Sequence, residues 1–245
     1  MLHFHIVTLF PESIEAYFNA SMLKRAQEDG KIKVSLYNPK DFTKDRKERV
    51  DRRPYGGGPG MVLAPELVLK AAEKALSKTG KQKTKNTDVT TLFFSPSGKQ
   101  FNAKMAKSLS KKKHLVMIAG HYEGVDARVQ KILKAKPISV GPYVLTGGEL
   151  PAAIVVDAVS RHVKGVLGDI MSLEEKRVAS PAVYTRPEVL MWKGKKYKVP
   201  DVLKSGHHAK IEEWKRGQRG TAGLTAASAR HTVLCEPHAL SRDAA

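Results

Sequence analysis

Cysteine is nearly absent from the 245-residue chain, which contains only Cys235. A single cysteine excludes an internal disulfide framework and a zinc site built from cysteines, and it is consistent with a reducing compartment. Long apolar runs are missing too, since none approaches the roughly 20 residues that a membrane span needs. Residues 2–10 are apolar, but they lack a basic flank and a cleavage site and are followed by Glu12, so they predict a first strand rather than a signal peptide. These absences predict a soluble, cytoplasmic protein.

Acidic residues are scarce relative to basic ones. The chain has 43 Lys and Arg against 24 Asp and Glu, which gives a formal net charge of +19. Attraction to phosphates is strong and independent of base sequence, so this charge favours nucleic acid as the partner without saying which one. A basic protein that is merely soluble is the alternative.

Several familiar site motifs are also missing. The glycine-rich residues 56–60 lack the Lys-Ser/Thr of a P-loop, which argues against a nucleoside triphosphatase. The nine histidines are scattered, and the one adjacent pair, His207-His208, has no carboxylate at metal-ligand spacing, so no metal site is predicted. Ser95 and Ser97 lie outside any Gly-x-Ser-x-Gly pattern, so a hydrolase nucleophile is unsupported.

Strand and helix patterns alternate along the chain. Strands are predicted over residues 2–8, 32–37, 89–94, 114–119 and 138–140, and helices over 11–28, 65–76, 102–111, 125–134 and from 150 onward. Three of these strands end at turns made of Gly, Ser and Pro. The alternation predicts an α/β domain with a mostly parallel sheet, and such sheets bind ligands at the carboxyl ends of their strands.

Residues 139–168 join a glycine-rich turn, Thr146-Gly147-Gly148, to an apolar helix. Neither glycine has a Cβ, so a ligand can come close and meet backbone N–H groups. Asp157 and Arg161 are four residues apart and share a helix face. We predict a polar ligand at this turn. The alternative is a strand, a turn and a buried helix that carries a surface ion pair.

The chain is predicted to contain two domains, of which the first spans residues 1–168. Residues 169–180 are charged and aperiodic and predict a linker, followed by a small domain over 181–217 with a helix near 208–216. Residues 218–245 are rich in Ala, Ser, Thr and Arg and are predicted to be a poorly ordered tail.

The order of several motifs resembles one protein family. The chain contains LFPE, DRRPYGGGPGMV, GHYEGVDARV, SVGPYVLTGGELPA, VDAVSRHVKGVLG, YTRPEV and VLKSGHHAKIEEW. They occur in the order seen in bacterial tRNA (guanine-N1)-methyltransferases acting at position 37 (the TrmD family of the SPOUT superfamily). The resemblance implies a trefoil-knotted α/β fold, with a mostly parallel sheet flanked by helices and a small, mainly helical C-terminal domain. It also implies S-adenosylmethionine as methyl donor, tRNA with G37 as partner rather than DNA or a membrane, and a homodimer with its active sites at the interface.

The resemblance also implies the site residues. Family positions that contact the cofactor match Ser95, Pro96, Gly120, Tyr122, Glu123, Ser139, Val140, Gly141, Pro142, Tyr143, Val144, Leu145, Gly147, Gly148 and Pro151. Family positions that contact the tRNA match Asp51, Arg52, Tyr55, Gly58, Arg186, His207 and His208.

Methylation at guanine N1 requires a general base for the N1 proton and a cationic donor for the charge that grows on O6. Arg161 matches the family arginine that serves O6. The family base is usually an Asp after Val-Leu-Gly. Here the corresponding run offers Glu174 or Glu175, with Asp169 as a weaker candidate. A second departure is Pro142, where the family usually has Asp. These departures leave two alternatives open: a SPOUT methyltransferase for another RNA nucleotide, and a non-catalytic RNA-binding protein.

Overall fold

The computed structural model describes residues 1–43, 49–79, 88–167 and 182–218. The chain divides into two compact units, Met1–Ile170 and Met171–Ala245. Within the described ranges, the helices are too short or too polar to cross a lipid bilayer. The predicted linker at 169–180 and the tail beyond residue 218 lie outside the described residues, so both stay predictions.

A parallel sheet forms the centre of the first unit. In the described part of this unit the strands are β1 (Leu2–Val7), β2 (Ile32–Tyr37), β3 (Asp51–Arg52), β4 (Val62–Leu63), β5 (Val89–Gln100), β6 (His114–Ile118) and β7 (Lys136–Ser139). Five of them make one sheet in the order β2-β1-β6-β5-β7, with every neighbouring pair parallel. The short β3 and β4 form a separate antiparallel pair. The prediction of an α/β unit with a mostly parallel sheet is confirmed.

Helices cover both faces of this sheet. They are α1 (Glu12–Phe18), α2 (Ser21–Glu28), α3 (Pro65–Ser77), α4 (Ala103–Leu109), α5 (Ala127–Leu133) and α6 (Glu149–Ser160). Leu2, Phe4 and Ile6 of β1 point into a core shared with α1, α2, α4 and α6, whereas Val7 points into a second core shared with α3 and α5. Successive strand residues face opposite sides. A parallel sheet with helices on both sides is therefore apolar on both faces.

The helix predicted over residues 11–28 is two helices. The break falls at Ala20, whose backbone is extended (φ −121°, ψ 155°). The interruption shifts the helical phase, so Leu23 is buried, whereas Met22, four residues after Phe18, is only partly buried. Both helices still contribute to one core, through Phe18 of α1 and Ala26 of α2 among others.

Strand β5 is longer than predicted because the turn expected at 95–98 is an insertion within it. The pairing of β5 with β7 shifts register between Phe94 and Lys99. Proline has no N–H to donate to a ladder, so Pro96 suits an unpaired bulge. A Cβ on Gly98 would lie 2.5 Å from the backbone N of Ile138, so glycine lets the insertion lie against β7.

The described part of the second unit contains strands β8 (Val189–Trp192) and β9 (Lys195–Lys198), a 3-10 turn (Asp201–Lys204) and helix α7 (His208–Gly217). The helix matches the prediction, but the antiparallel hairpin was not predicted. Its two-residue loop, Lys193-Gly194, has positive φ at both positions (46° and 74°), as tight hairpins favour. The hairpin was not recognised in the sequence because residues 193–198 are mostly lysine.

Candidate active site

The bulge of β5 and the chain segments that follow β6 and β7 surround a cavity of about 220 Å³ at one edge of the sheet. It lies there because parallel strands direct all their carboxyl ends to the same edge. The bulge of β5, the turn after β6, the loop after β7 and the first turn of α6 each contribute lining residues.

The cavity collects nearly all of the predicted cofactor residues. All fifteen lie in the described ranges, and fourteen line the cavity, Pro142 being the exception. The lining also includes five residues that were not predicted: Phe94, His121, Gly124, Ile138 and Thr146. Each is adjacent in sequence to a predicted one, so extending the motifs by one residue would have found them.

Short hydrogen bonds fix the loop after β7. The Ser139 hydroxyl donates to the carbonyl oxygen of Gly141 at 2.8 Å and accepts from its N–H at 3.3 Å. The Tyr143 hydroxyl donates to the carbonyl oxygen of Val140 at 3.4 Å. A Cβ on Gly141 would overlap the Tyr143 ring. The loop is thus held in shape by its own side chains, and glycine at 141 lets the ring fold over the backbone.

The Gly147-Gly148 turn closes onto the end of β6. The N–H of Gly148 donates to the carbonyl oxygen of Gly120 at 2.6 Å, and Gly147 forms an antiparallel bridge with His121. A Cβ on Gly148 would lie 2.6 Å from the Cα of Ala119. From the sequence, both glycines are expected to allow a ligand to approach. The structure shows that Gly148 is also needed for the close packing of two chain segments.

Glu149, the first residue of α6, is buried with only 6% exposure. One carboxylate oxygen accepts a hydrogen bond from the Thr8 hydroxyl at 2.7 Å, and the other lies 3.4 Å from Nδ1 of His121. His121 also packs against the ring of Phe10, with centroids 4.6 Å apart. These contacts join the amino-terminal strand to the cavity wall and fix the imidazole of His121.

A second cavity, of about 420 Å³, adjoins the first. Its lining shares His121, Thr146 and Gly147 with the first cavity and adds Glu149, Leu150, Phe10, Glu12 and Ser13. The imidazole of His121 therefore lies between the two cavities. His121 was not predicted as a site residue, although it lies inside the GHYEG motif.

The loop over residues 55–61, which carries the predicted tRNA-contacting residues Tyr55 and Gly58, contacts Glu123 in the wall of the first cavity. The N–H of Glu123 donates to the carbonyl oxygen of Met61 at 3.0 Å, and a Cβ on Gly60 would lie 2.5 Å from the Glu123 side chain. Gly58 has a φ of 111°, which favours glycine, and Tyr55 is fully exposed. The structure thus brings the end of this loop to the cavity and leaves its tip at the surface.

Asp51 and Arg52 lie at the start of the same segment, in β3, where they pair with β4. The Asp51 carboxylate lies 3.6 Å from the guanidinium of Arg49, and Arg52 is exposed. Both residues belong to the first unit, and their contact with tRNA stays a prediction.

Arg161 is not brought to the cavity within one chain. Helix α6 begins at the cavity and has 12 residues, so it is about 18 Å long, and Arg161 follows its far end. One turn before it, Asp157 accepts a hydrogen bond from the hydroxyl of Tyr17 on α1. This bond, together with partial burial, raises the pKa of Tyr17 to about 12.

The remaining predicted site residues lie elsewhere. Arg186, His207 and His208 are exposed residues of the second unit. The candidate bases Glu174, Glu175 and Asp169 lie outside the described residues, so their roles stay predictions.

The family of the chain follows from comparison with known proteins. Residues 2–228 match the family model described as tRNA (Guanine-1)-methyltransferase TrmD. The chain belongs to this family. The resemblance seen in the motifs is confirmed.

Curated relatives of the chain carry the same designation. A protein of Dictyoglomus turgidum named tRNA (guanine-N(1)-)-methyltransferase is 46% identical over 220 residues, covering 88% of this chain and 84% of the relative. Proteins with that name from Carboxydothermus hydrogenoformans and Clostridioides difficile are 45% and 41% identical over 217 and 219 residues. These alignments cover 87% and 88% of this chain and 81% and 91% of the two relatives.

Proposed function

We propose that the protein transfers a methyl group from S-adenosylmethionine to N1 of guanosine 37 in tRNA, next to the anticodon. The observation that carries the proposal is the cavity beside the β5 bulge and the ends of β6 and β7, which gathers fourteen of the fifteen expected cofactor positions. Membership of the tRNA (Guanine-1)-methyltransferase family supports the reaction and the substrate class. The guanosine at position 37 and the methyl donor come from the motif resemblance.

The chemistry of the lining fits S-adenosylmethionine. Ile138, Val140 and Leu145 offer apolar surface for an adenine, and the glycine turns offer backbone donors and acceptors for its ring edge. Ser95 and Ser139 are hydroxyl side chains in the lining. Glu123 is the only carboxylate among the described lining residues and suits a cationic ligand. When bound, the cofactor supplies an electrophilic methyl group on a sulfonium.

For the acceptor, the protein has to remove the N1 proton and stabilise charge on O6. We assign the second task to Arg161, because a guanidinium presents two donors to a purine edge. The first task goes to Glu174 or Glu175. Alignment of the two reactants supplies the rest of the rate, since displacement at a methyl group needs no covalent enzyme intermediate.

In a homodimer, Arg161 of one subunit can act at the cavity of the other subunit, although it is far from the cavity of its own chain. On α6, Leu150, Ile154, Asp157 and Arg161 recur at spacings of three and four and share one face. Leu150 and Ile154 on this face are 58% and 42% exposed in the single chain, which is unusual for large apolar side chains of a helix whose other side is core. Two copies that pair through this face with antiparallel helices bring Arg161 of one subunit to the cavity end of the other.

Size and activity measurements test the dimer. In size-exclusion chromatography we expect the wild-type protein to elute as a dimer. The Ile154→Glu variant should elute as a monomer that is folded but inactive. The matched control is Ile132→Glu, on an exposed position of α5. A fully active monomeric variant would contradict the shared site.

The tRNA-binding surface is proposed to include the second unit, as a domain over residues 181–217. Its hairpin exposes Trp192 and Tyr197 beside Lys195 and Lys196. Aromatic side chains stack on unpaired bases, and lysines neutralise phosphates. The net charge of +19 also favours the binding of tRNA, whose phosphates are negative. We further propose the trefoil knot of the SPOUT superfamily around residues 95–148, and activity in the cytoplasm, where tRNA is modified.

Methyl transfer to defined transcripts tests the reaction. The protein is incubated with labelled S-adenosylmethionine and a tRNA transcript carrying G37, and the product is mapped by primer extension, which stops at N1-methylguanosine. We expect one new stop, at position 37, and none when G37 is replaced by A. A stop at another nucleotide would favour the alternative substrate. Failure to bind the cofactor in calorimetry would favour a non-catalytic RNA-binding protein.

Single substitutions separate the roles of the proposed catalytic groups. Arg161→Lys keeps a charge but loses the planar fork, so we expect kcat to fall by about 10²-fold or more while cofactor affinity is retained. Glu174→Gln and Glu175→Gln, made separately, identify the base. If both retain the wild-type rate, the base is another group, and Asp169→Asn and Glu123→Gln are the next variants.

A further inference from the structure

Three histidines meet near the amino-terminal edge of the parallel sheet, away from the cavity. His3 and His5 lie two residues apart on β1 and point to the same side, and His114 starts β6 directly opposite His3 in the register. His5 is fully buried and His3 nearly so. This histidine cluster occupies a face where a parallel strand ordinarily carries Val or Ile.

The imidazole nitrogens of the histidine cluster converge. One ring nitrogen from each residue lies within 4.8 Å of the other two. Nε2 of His5 and Nδ1 of His114 are 3.2 Å apart. Two nitrogens bound to a tetrahedral Zn²⁺ at roughly 2.0–2.1 Å stand about 3.3 Å from each other, so this pair already has the separation of two zinc ligands. The His3 ring has to rotate before its nitrogen can reach the same ion. The centroid of this ring now lies 3.8 Å from the centroid of the His5 ring.

A second set of polar groups orients two of these rings. The hydroxyl of Tyr37 lies 3.0 Å from Nδ1 of His5, and the Ser35 hydroxyl lies 2.8 Å from Nε2 of His3. When Nδ1–H of His5 donates to Tyr37, the lone pair of Nε2 points toward His114. Metal-binding histidines are typically held in this way by a hydrogen bond at the other nitrogen.

Burial lowers the pKa of His5 to about 3 and that of His3 to about 4, and it lowers the pKa of His114 as well. Lys33 and Lys113 add positive charge nearby, and the carboxylate of Asp88 lies 2.9 Å from the ammonium of Lys113 and offsets part of it.

We propose that His3, His5 and His114 bind one Zn²⁺ ion, with the fourth position open to water on the partly exposed side of His114. The ion takes no part in the proposed methyl transfer. Strand β6 runs five residues from His114 to Ile118 before the turn that lines the cavity, so about 16 Å separates the ion from the proposed chemistry. Bound zinc links β1 to β6, and through Tyr37 to the edge strand β2. The proposal does not depend on the methyltransferase reaction.

Zinc titration of the tag-free full chain tests this site. After treatment with EDTA and its removal, the protein competes with a chromogenic chelator for Zn²⁺, and Co²⁺ serves as a spectroscopic substitute. We expect one equivalent of tight Zn²⁺ and a visible Co²⁺ band typical of four-coordinate nitrogen ligation. His3→Gln and His114→Gln are expected to weaken Zn²⁺ binding by at least 100-fold, and Tyr37→Phe by about 10-fold or more, because the orienting bond is lost.

The control is the double variant His207→Gln, His208→Gln, which removes the adjacent histidines of the second unit and is expected to keep the wild-type zinc affinity. Circular dichroism shows that each variant is folded before it is titrated. Two results overturn the proposal: a wild-type protein that binds no stoichiometric Zn²⁺, or His3→Gln and His114→Gln variants that bind it as tightly as wild type. The cluster is then a set of hydrogen-bonded core histidines only.

Discussion

Replacement of Gly148 by Ala perturbs the wall of the cavity by a single methyl group. The backbone of Gly148 (φ −84°, ψ 0°) suits alanine, so no conformational strain arises. The added Cβ, however, would lie 2.6 Å from the Cα of Ala119 and 2.9 Å from the N of Gly120. Both are backbone atoms at the end of β6, and neither can turn away as a side chain can.

The structure sets the size of the effect. Ordinary contacts of a Cβ begin near 3.4 Å, so the first turn of α6 and the end of β6 have to separate by about 1 Å. Overpacking of this kind costs about 1–3 kcal/mol. At 2–4 °C for each kcal/mol in a chain of this size, Tm falls by about 2–12 °C. A 1 Å displacement of the wall also misaligns the bound reactants, which can cost about 10²-fold in rate.

Two measurements on one preparation check this prediction: Tm by calorimetry and S-adenosylmethionine affinity by titration. The control is Gly217→Ala at the end of α7, where an added Cβ meets nothing within 4 Å. We expect the control to keep or slightly raise Tm, because alanine is the better helix former. A Gly148→Ala protein with wild-type Tm and wild-type cofactor affinity would refute the argument that this glycine is required by packing.

Three further perturbations test the surroundings of the site and the sheet. Thr8→Val removes the hydrogen bond to the buried Glu149 carboxylate, and we expect a loss of about 1–3 kcal/mol in urea unfolding, whereas a loss below 0.5 kcal/mol would contradict the contact. Asn102→Ala removes the side chain that caps α4 and should lower the unfolding free energy by about 1 kcal/mol, checked in the same urea assay; unchanged stability would show that the cap contributes nothing. In EDTA, the histidine cluster should make the fold acid-sensitive. Folding lowers the pKa of His3 to about 4 and that of His5 to about 3, so the unfolded chain binds protons first. Stability therefore falls from pH 6.5 toward pH 4 by about 1.4 kcal/mol per pH unit for each of these two rings. A urea midpoint that does not change between pH 7 and pH 5 would contradict this.

Local patterns predicted most of the elements and the cofactor turns. Strand β2 has the predicted bounds, Ile32–Tyr37, and α3 ends one residue later than predicted. These segments are recognisable because burial on one or both faces leaves a periodic trace in the sequence. The site turns were predictable for a different reason. Each combines glycine with a specific string of neighbours, and a close match to a family covers most of the chain.

Features that depend on which strands are neighbours were not predictable. Strands β1 and β6 are more than 100 residues apart in sequence, yet they are adjacent in the sheet and bring His3 and His114 together. The histidines therefore looked scattered, although the His-x-His spacing on one strand was a usable signal for a shared face. The link from Thr8 to Glu149 has the same origin, since it spans 141 residues.

The amino-acid sequence by itself determined the alternation of strands and helices, the glycine turns and the basic charge, because each depends on local conformation or composition. Only the tertiary structure decided the strand order, the meeting of three turns at one cavity, the packing role of Gly148 and the convergence of the histidine cluster. Parallel pairing joins distant segments through backbone hydrogen bonds that are the same for every side chain. The sequence therefore carries little local record of which strands pair.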